Sequence, residues 1–315
     1  MLQANAIVFE KPEQLSLRRL DLAPAGDDDV VVEVDWSGVS TGTERLLFSG
    51  RMPAFPGMGY PLVPGYESVG TVISAGSKAR IREGETVFVP GSRGFVDVRG
   101  LFGGAASKLV SKAARVLPIS PTLGEKAILL ALAATAFHAR GAGPSDSGGV
   151  LVVGHGVLGR LLARLIALDG FEPPTVWEKN PERAGGAEHY KVLAPEEDAR
   201  RDYATIFDVS GDSSLLDELI ARLAPGGEVV LAGFYESRLN FSFPPAFMRE
   251  ARIRAAAEWR ASDLEAVRRL VEDGRLSLDG LITHRARAAD AATAYPTAFN
   301  DPSCLKMVLD WSACS

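Results

Sequence analysis

The chain has 315 residues, 46% of them apolar and 23% charged, and a formal net charge of −6. This is globular composition over a length that suggests two domains and can bury a large core. The acidic balance, with no basic cluster, argues against nucleic acid as a partner; the two cysteines, Cys304 and Cys314, exclude a disulfide framework; and with no signal-peptide pattern and no bilayer-length apolar run, a cytoplasmic protein without stable membrane insertion is expected.

The first 120 residues read as β-rich. Residues 30–35 alternate apolar and acidic side chains, as a half-buried strand does, and 69–74 and 86–90 carry further strand signals punctuated by glycine. The same pattern continues over 106–117, and the loops between are rich in Gly and Pro, most densely from 50 to 65. From 121 to 264 strands and helices alternate. Strand signals fall at 150–154, 174–178, 190–194, 204–210 and 227–233, with a sixth near 252–259; helix signals fall at 124–140, 157–169 and 213–223. That alternation predicts a parallel, doubly wound sheet. The tail opens on a capping box, Ser262 with Glu265 three residues on, ahead of a helix with Leu264, Val267, Leu270 and Val271 on one face, and ends in a strand at 306–310. The predicted class is α/β, with a dinucleotide-binding domain of residues 121–264 inserted into a β-rich domain formed by 1–120 and 265–315. A ligand is expected in the cleft between them, beyond the carboxyl ends of the parallel strands.

The sharpest motif is Gly154-His155-Gly156-Val157-Leu158-Gly159, between an apolar strand and an apolar, helix-spaced segment. In that setting the first Gly permits the tight turn, the second admits a pyrophosphate, and the third lets helix pack on strand. The helix N-terminus adds unpaired N–H groups and a positive dipole end. Glu178 ends the next strand at about the expected spacing of about 20 residues, where a carboxylate accepts both ribose hydroxyls and repels a 2′-phosphate. The cofactor read from these residues is NAD, with Lys179 and Arg183 opposing that preference and Ser210 a further contact. His155 is expected to face the cofactor or solvent, and His138, on an apolar helix, to be a satisfied core residue.

Four segments then carry a resemblance. Gly38-Val39-Ser40-Thr41-Gly42-Thr43-Glu44, Pro64-Gly65-Tyr66-Glu67, Thr135-Ala136-Phe137-His138 and Leu281-Ile282-Thr283-His284-Arg285 stand in the order found in the medium-chain dehydrogenase/reductase superfamily, which the chain resembles over almost its whole length. The resemblance implies a GroES-like β-rich catalytic domain, a Rossmann domain, and hydride transfer with a nicotinamide cofactor. Zinc-dependent members hold their metal through a Cys, the His of P-G-H-E and a third Cys or acidic ligand. Those positions here are Thr41, Tyr66 and about Ala131, a poor set for zinc, and 91–104 lacks the cysteines of a structural zinc lobe. A metal-free enzyme is therefore expected.

Within the superfamily, the run from Gly38 through Arg51-Met52-Pro53 to Val69-Gly70 resembles a branch of bacteriochlorophyll a synthesis. That likeness implies NAD-dependent oxidation of a tetrapyrrole secondary alcohol, the C3 1-hydroxyethyl group, to acetyl. Without a metal, hydrogen-bond donors and a proton acceptor must handle the alcohol. Thr43 and Tyr66 are the first candidates, with Glu44 and Glu67 behind them. Met52 and Phe55, with Phe48, Met58 and Tyr60, would offer an apolar face to the ring, and Arg51, Arg93 or Arg45 would pair with its propionate. Two other readings stand beside this one: a zinc-free quinone or enoyl reductase using NADPH, against which Glu178 argues, and an NAD(H)-binding regulator without turnover. A homodimer through the edge strand near 252–259 follows by analogy of fold.

Overall fold

The computed structural model describes residues 2–54, 57–141, 148–170 and 172–314. The strands, in chain order, begin with β1 (Gln3–Lys11), β2 (Gln14–Asp21), β3 (Asp29–Val39), β4 (Ser68–Ala75), β5 (Thr86–Val89), β6 (Lys108–Lys112) and β7 (Leu117–Pro118). They continue as β8 (Gly149–Val153), β9 (Thr175–Trp177), β10 (Lys191–Leu193), β11 (Tyr203–Asp208), β12 (Leu223–Leu231), β13 (Arg252–Ala255), β14 (His284–Arg287) and β15 (Met307–Asp310). The helices are α1 (Thr43–Phe48), α2 (Leu130–Arg140), α3 (Val157–Ala167), α4 (Leu216–Arg222), α5 (Phe243–Met248), α6 (Ala261–Glu272) and α7 (Ala291–Asn300). No helix among the described residues is long and apolar enough to cross a membrane.

The chain divides into two compact units, Met1–Ala131 with Asp279–Ser315, and Leu132–Leu278. In the first, a sheet runs in the order β14-β15-β3-β4-β5-β7, with β6 also on β3, beside a separate β1–β2 hairpin. Strand β3 is its spine. One edge pairs with β4; the other carries β6 over its first half and β15 over its last. The core packs Ile7, Phe9, Val32, Leu47, Leu62, Val89, Leu109, Tyr295 and Trp311 together. The second unit is a parallel sheet in the order β10-β9-β8-β11-β12-β13. Every residue of β8 is buried, as expected of a strand flanked by neighbours on both sides and covered on both faces. The order reverses between β8 and β11, so the carboxyl ends of those two strands form the switch point where such sheets bind ligands.

The units divide at 131/132 and 278/279 rather than at 120/121 and 264/265. Residues 121–131 pack under β3 and β4, whereas the 261–278 segment is tied to the parallel unit by His138–Asp263 (2.8 Å) and by Arg164 donating to Ser277 O (2.8 Å). Other expectations shift in detail. The helix expected over 124–140 is a 3-10 stretch (Pro121–Leu129) followed by α2, because Gly124 takes a positive φ of 51° and breaks the first turns. The run 106–117 is not one strand but β6, a 3-10 turn and β7. At α6 the residue reaching back to the helix start is Asp263, accepting from Arg260 N at 2.8 Å; Glu265 instead pairs with Arg268 and Arg269.

A buried polar knot holds the middle of the parallel unit. Asp198 accepts from Trp177 Nε1, Tyr203 Oη (both 2.8 Å) and Arg200 N (2.9 Å), and the Arg222 guanidinium lies 4.4 Å above the Trp177 ring. Replacing Asp198 by Ala leaves two buried donors without an acceptor. Asp198→Ala is expected to lose about 3 kcal/mol, seen as a lower denaturant midpoint, with Asp198→Asn losing less.

Candidate active site

The dinucleotide cradle lies at the switch point. Gly154 ends β8 with φ +106°, against the Ser210 backbone. Gly156 caps α3 and faces open space, so a bulky phosphate can approach its backbone. A Cβ on Gly159 would fall 1.9 Å from Gly154 O, so only glycine allows α3 to sit this close to the turn. Val157 and Leu158 form the first turn of α3, Val157 buried. Glu178, at the tip of β9, is held at both oxygens: Oε2 accepts from His155 N (3.2 Å) and Oε1 from Asn180 N (2.8 Å). The cradle therefore fits a dinucleotide: open space at the second glycine, close packing at the third, a fixed carboxylate at the ribose position. Lys179 is exposed beside it. The exposed Ser210 spends its hydroxyl on Asp208 (2.6 Å) and accepts from Asp212 N (3.0 Å).

The His155 ring does not face solvent. Its ring is buried, with Nδ1 2.7 Å from Arg183 O and Nε2 2.8 Å from Tyr190 Oη. Arg160 closes the same network by donating to the carbonyls of His155, Arg183 and Gly186. Burial, with Arg160 close by, pushes the imidazole down to about 4. The ring is thus neutral at pH 7, donating from Nδ1 to the carbonyl and accepting from the tyrosine at Nε2.

A second cluster forms in the β-rich unit where β3 leads into α1. Gly65, at φ +94°, turns the chain so that Tyr66 points inward, its ring edge-on to Phe102 at 5.3 Å. The phenol donates to Ser40 Oγ at 2.8 Å, and the Thr43 side chain reaches the phenol oxygen. Burial, reinforced by Glu67 and Glu44, raises the Tyr66 hydroxyl far above its ordinary range, so it remains a donor. Glu67 is fully buried and receives Lys306 Nζ at 2.8 and 3.0 Å. A Cβ at Gly38 would lie 2.1 Å from the Glu67 carboxylate, which explains the glycine in that strand. Glu44, also fully buried, accepts from Ser40 N at 3.1 Å. Thr41 is half-buried and Ala131 fully buried. Among the described residues no three His, Cys, Asp or Glu side chains gather as a metal would need.

The structure thus brings Thr43, Glu44, Tyr66 and Glu67 together and adds Ser40, Lys306 and Tyr295. Of these, Lys306 carried a sequence signal: a charge at the start of an apolar strand. The expected ring-binding loop is mostly accounted for by packing. Met52 is buried in the core, Phe48 packs edge-on to Phe9, and the Tyr60 hydroxyl donates to Leu47 O, because the loop returns over α1. Arg51 is exposed and donates to Ser49 Oγ at 3.1 Å; Arg93 and Arg45 are also exposed. Phe55 lies outside the described residues.

Comparison with known proteins agrees with this geometry. The model of the alcohol dehydrogenase GroES-like domain matches residues 26–121. The 2-desacetyl-2-hydroxyethyl bacteriochlorophyllide A dehydrogenase of Rhodobacter capsulatus is 54% identical over 98% of this chain and 99% of its own, and that of Cereibacter sphaeroides is 53% identical over 99% of each. Among solved structures, an Escherichia coli alcohol dehydrogenase in complex with NADH superposes with a TM-score of 0.84 at 22% identity, over 98% of this chain and 99% of that one. A thermostable alcohol dehydrogenase from Pyrobaculum aerophilum gives 0.83 at 23% identity, over 98% of this chain and 100% of that one. Fold and site define a nicotinamide-dependent oxidoreductase of the alcohol dehydrogenase type. The chain belongs to the medium-chain dehydrogenase/reductase superfamily, in one family with the two bacteriochlorophyllide A dehydrogenases.

The buried ion pair gives a direct test. Lys306→Met strands the Glu67 charge and is expected to cost about 4 kcal/mol by chemical denaturation, while adding Glu67→Gln to it recovers most of that loss.

Proposed function

We propose that this chain is an NAD+-dependent, metal-independent dehydrogenase that oxidises the C3 1-hydroxyethyl group of bacteriochlorophyllide a to acetyl. The observation that carries the reading is the likeness, end to end and above half identity, to two dehydrogenases named for that hydroxyethyl tetrapyrrole. When bound, NAD+ would take the hydride from the carbinol carbon, while the hydroxyl proton is released to solvent. The chain's own residues hold the substrate oxygen and the cofactor. Tyr66, kept protonated, can turn its single O–H from Ser40 to the developing alkoxide and the product ketone, and the half-buried Thr43 supplies a second hydroxyl. Glu178, fixed by two backbone N–H groups, retains lone pairs for the ribose hydroxyls and repels a 2′-phosphate, which favours NAD over NADP. Metal independence is supported by the donor set: Ala131 has no ligating atom, and the Tyr66 phenol, held protonated by its burial, is a poor ligand beside a thiolate or imidazole.

The reading places the reaction in the cytoplasm, with a tetrapyrrole as the small-molecule partner, no nucleic acid and no membrane insertion. Met52 and Phe48 serve the core, so the propionate partners are drawn from the exposed Arg51 and Arg93. The terminal strand β13, exposed along most of its length and beside the exposed Phe243, Phe247 and Met248, supports a homodimer joined through that sheet edge.

The test is anaerobic incubation of purified, chelator-treated protein with NAD+ and 3-hydroxyethyl bacteriochlorophyllide a, following the ring's long-wavelength band and NADH together. Acetyl product in step with NADH is expected; measurable NAD(H) binding without product would overturn the assignment. Tyr66→Phe should lower kcat about a hundredfold with little change in KM for NAD+. Glu178→Ala should raise KM for NAD+ roughly tenfold and narrow the gap to NADP+.

A further inference from the structure

Beneath Tyr66, two carboxyls share the interior with one ammonium: Glu44 and Glu67 are 0% exposed and Lys306 is 1% exposed. Lys306 Nζ donates to both Glu67 oxygens (2.8 and 3.0 Å) and to Val39 O (3.3 Å), which accounts for its three protons. None remains for Glu44. The groups facing Glu44 are Glu67 and Tyr66 from the 64–68 segment, Lys306 ahead of β15, Tyr295 from α7, and the Ser40 backbone. Glu44 Oε1 accepts from Ser40 N, but Glu44 Oε2 completes no hydrogen bond among the described residues, and neither does the Tyr295 hydroxyl beside it. Buried oxygens are seldom left this way, and a second uncompensated anion next to Glu67 is the costliest state this cluster can adopt. A proton on Glu44 removes the second buried charge, and the Tyr295 hydroxyl beside Oε2 is placed to pair with the neutral acid.

We propose that Glu44 works as a neutral acid paired with the Tyr295 hydroxyl, and that the proton it keeps holds Ser40, Thr43 and Tyr66 in the arrangement that receives the alcohol. Glu44 is then a positioning residue: it touches Ser40, and Ser40 is the acceptor that orients the Tyr66 phenol. Burial, with the Glu67 charge adding to it, pushes the Glu44 carboxyl up to about 8. Ionisation above that pH sets two carboxylates against a single ammonium and releases the Ser40 turn. The positioning role rests on the dehydrogenase reading; the protonation state does not.

Infrared difference spectra between the wild type and Glu44→Gln at pH 7 test the proton itself. The wild type should show the carbonyl band of a protonated carboxylic acid that the variant lacks, and it should fade as pH passes about 8. Tyr295→Phe should keep the band and move it to higher frequency, as the acid loses its acceptor. Thermal melts give an independent check. An acid held above its ordinary 4.5 in the folded state stabilises fully below that value and less as pH rises, so wild type should lose Tm relative to Glu44→Gln from about 4.5 to about 8 and then run parallel. A band removed by Glu67→Gln instead, no such band, or parallel melts throughout would overturn the neutral acid. For the positioning role, kcat between pH 7 and pH 9 should fall about tenfold in wild type and stay level in Glu44→Gln. The same fall in both would overturn that role while leaving the dehydrogenase reading intact.

Discussion

The Lys306 ammonium is enclosed with the Glu67 carboxylate, 239 positions earlier in the chain, and also reaches the last carbonyl of β3. Burying such a pair is expensive unless its geometry is close and its remaining protons are satisfied. Here both conditions hold, and meeting them dictates much around the pair. Strand β15 must register against β3 so that Lys306 arrives beside Val39, residue 38 must be glycine to leave room for the carboxylate, and Gly65 must turn the chain just before Tyr66. The phenol, Ser40 and Thr43 stand where they do because the ion pair pins the segments that carry them.

The parallel unit reaches a fixed site by other means. Its positioning groups are backbone amides and carbonyls: Glu178 is oriented by two N–H groups, and the His155–Arg160–Tyr190 network bonds chiefly to carbonyls of the 183–186 segment. A rigid amide framework suits an anionic ligand, because the donors are in place before it arrives and little order has to be created on binding. The cluster around Tyr66 relies on side chains, whose protonation can change. The two units thus differ in how they should respond to pH as well as in what they hold.

Much of this was legible in the sequence, and the limits have physical causes. Strands β3, β4, β5 and β8 were plain from alternation or continuous apolar runs, and the Gly154–Gly159 turn from its setting between strand and helix. The β1–β2 hairpin escaped notice because its turn, Pro12-Glu13, lacks the usual Gly signal and places Glu13 at φ 62°. Thr43, Glu44, Tyr66 and Glu67 were named from local motifs. Lys306 and Tyr295 were not, since their importance comes from contacts across most of the chain, which periodicity does not report. His155 looked ligand-facing from its place in the motif; only the fold shows Arg160 and Tyr190 drawing it inward. Met52 and Phe48 looked like a binding face because an apolar loop reads the same whether it covers a ligand or its own core.

Lys306 and β15 also leave the ribosome long after Glu67 and β3, 239 positions after the carboxylate in the case of the ammonium. Domains tend to assemble as units while synthesis proceeds, so the parallel sheet, complete by residue 278, is free to form first. During that interval Glu67 has no counter-ion, and the last residues of β3, later covered by β15, lie bare as an open sheet edge. The nascent protein would therefore pass through a stage in which the parallel unit is formed while the Glu67 cluster is not, and most exposed to pairing with a neighbouring nascent chain. Translation rate and chaperone supply while residues 279–310 emerge should then govern the completion of the β-rich unit more strongly than that of the parallel one.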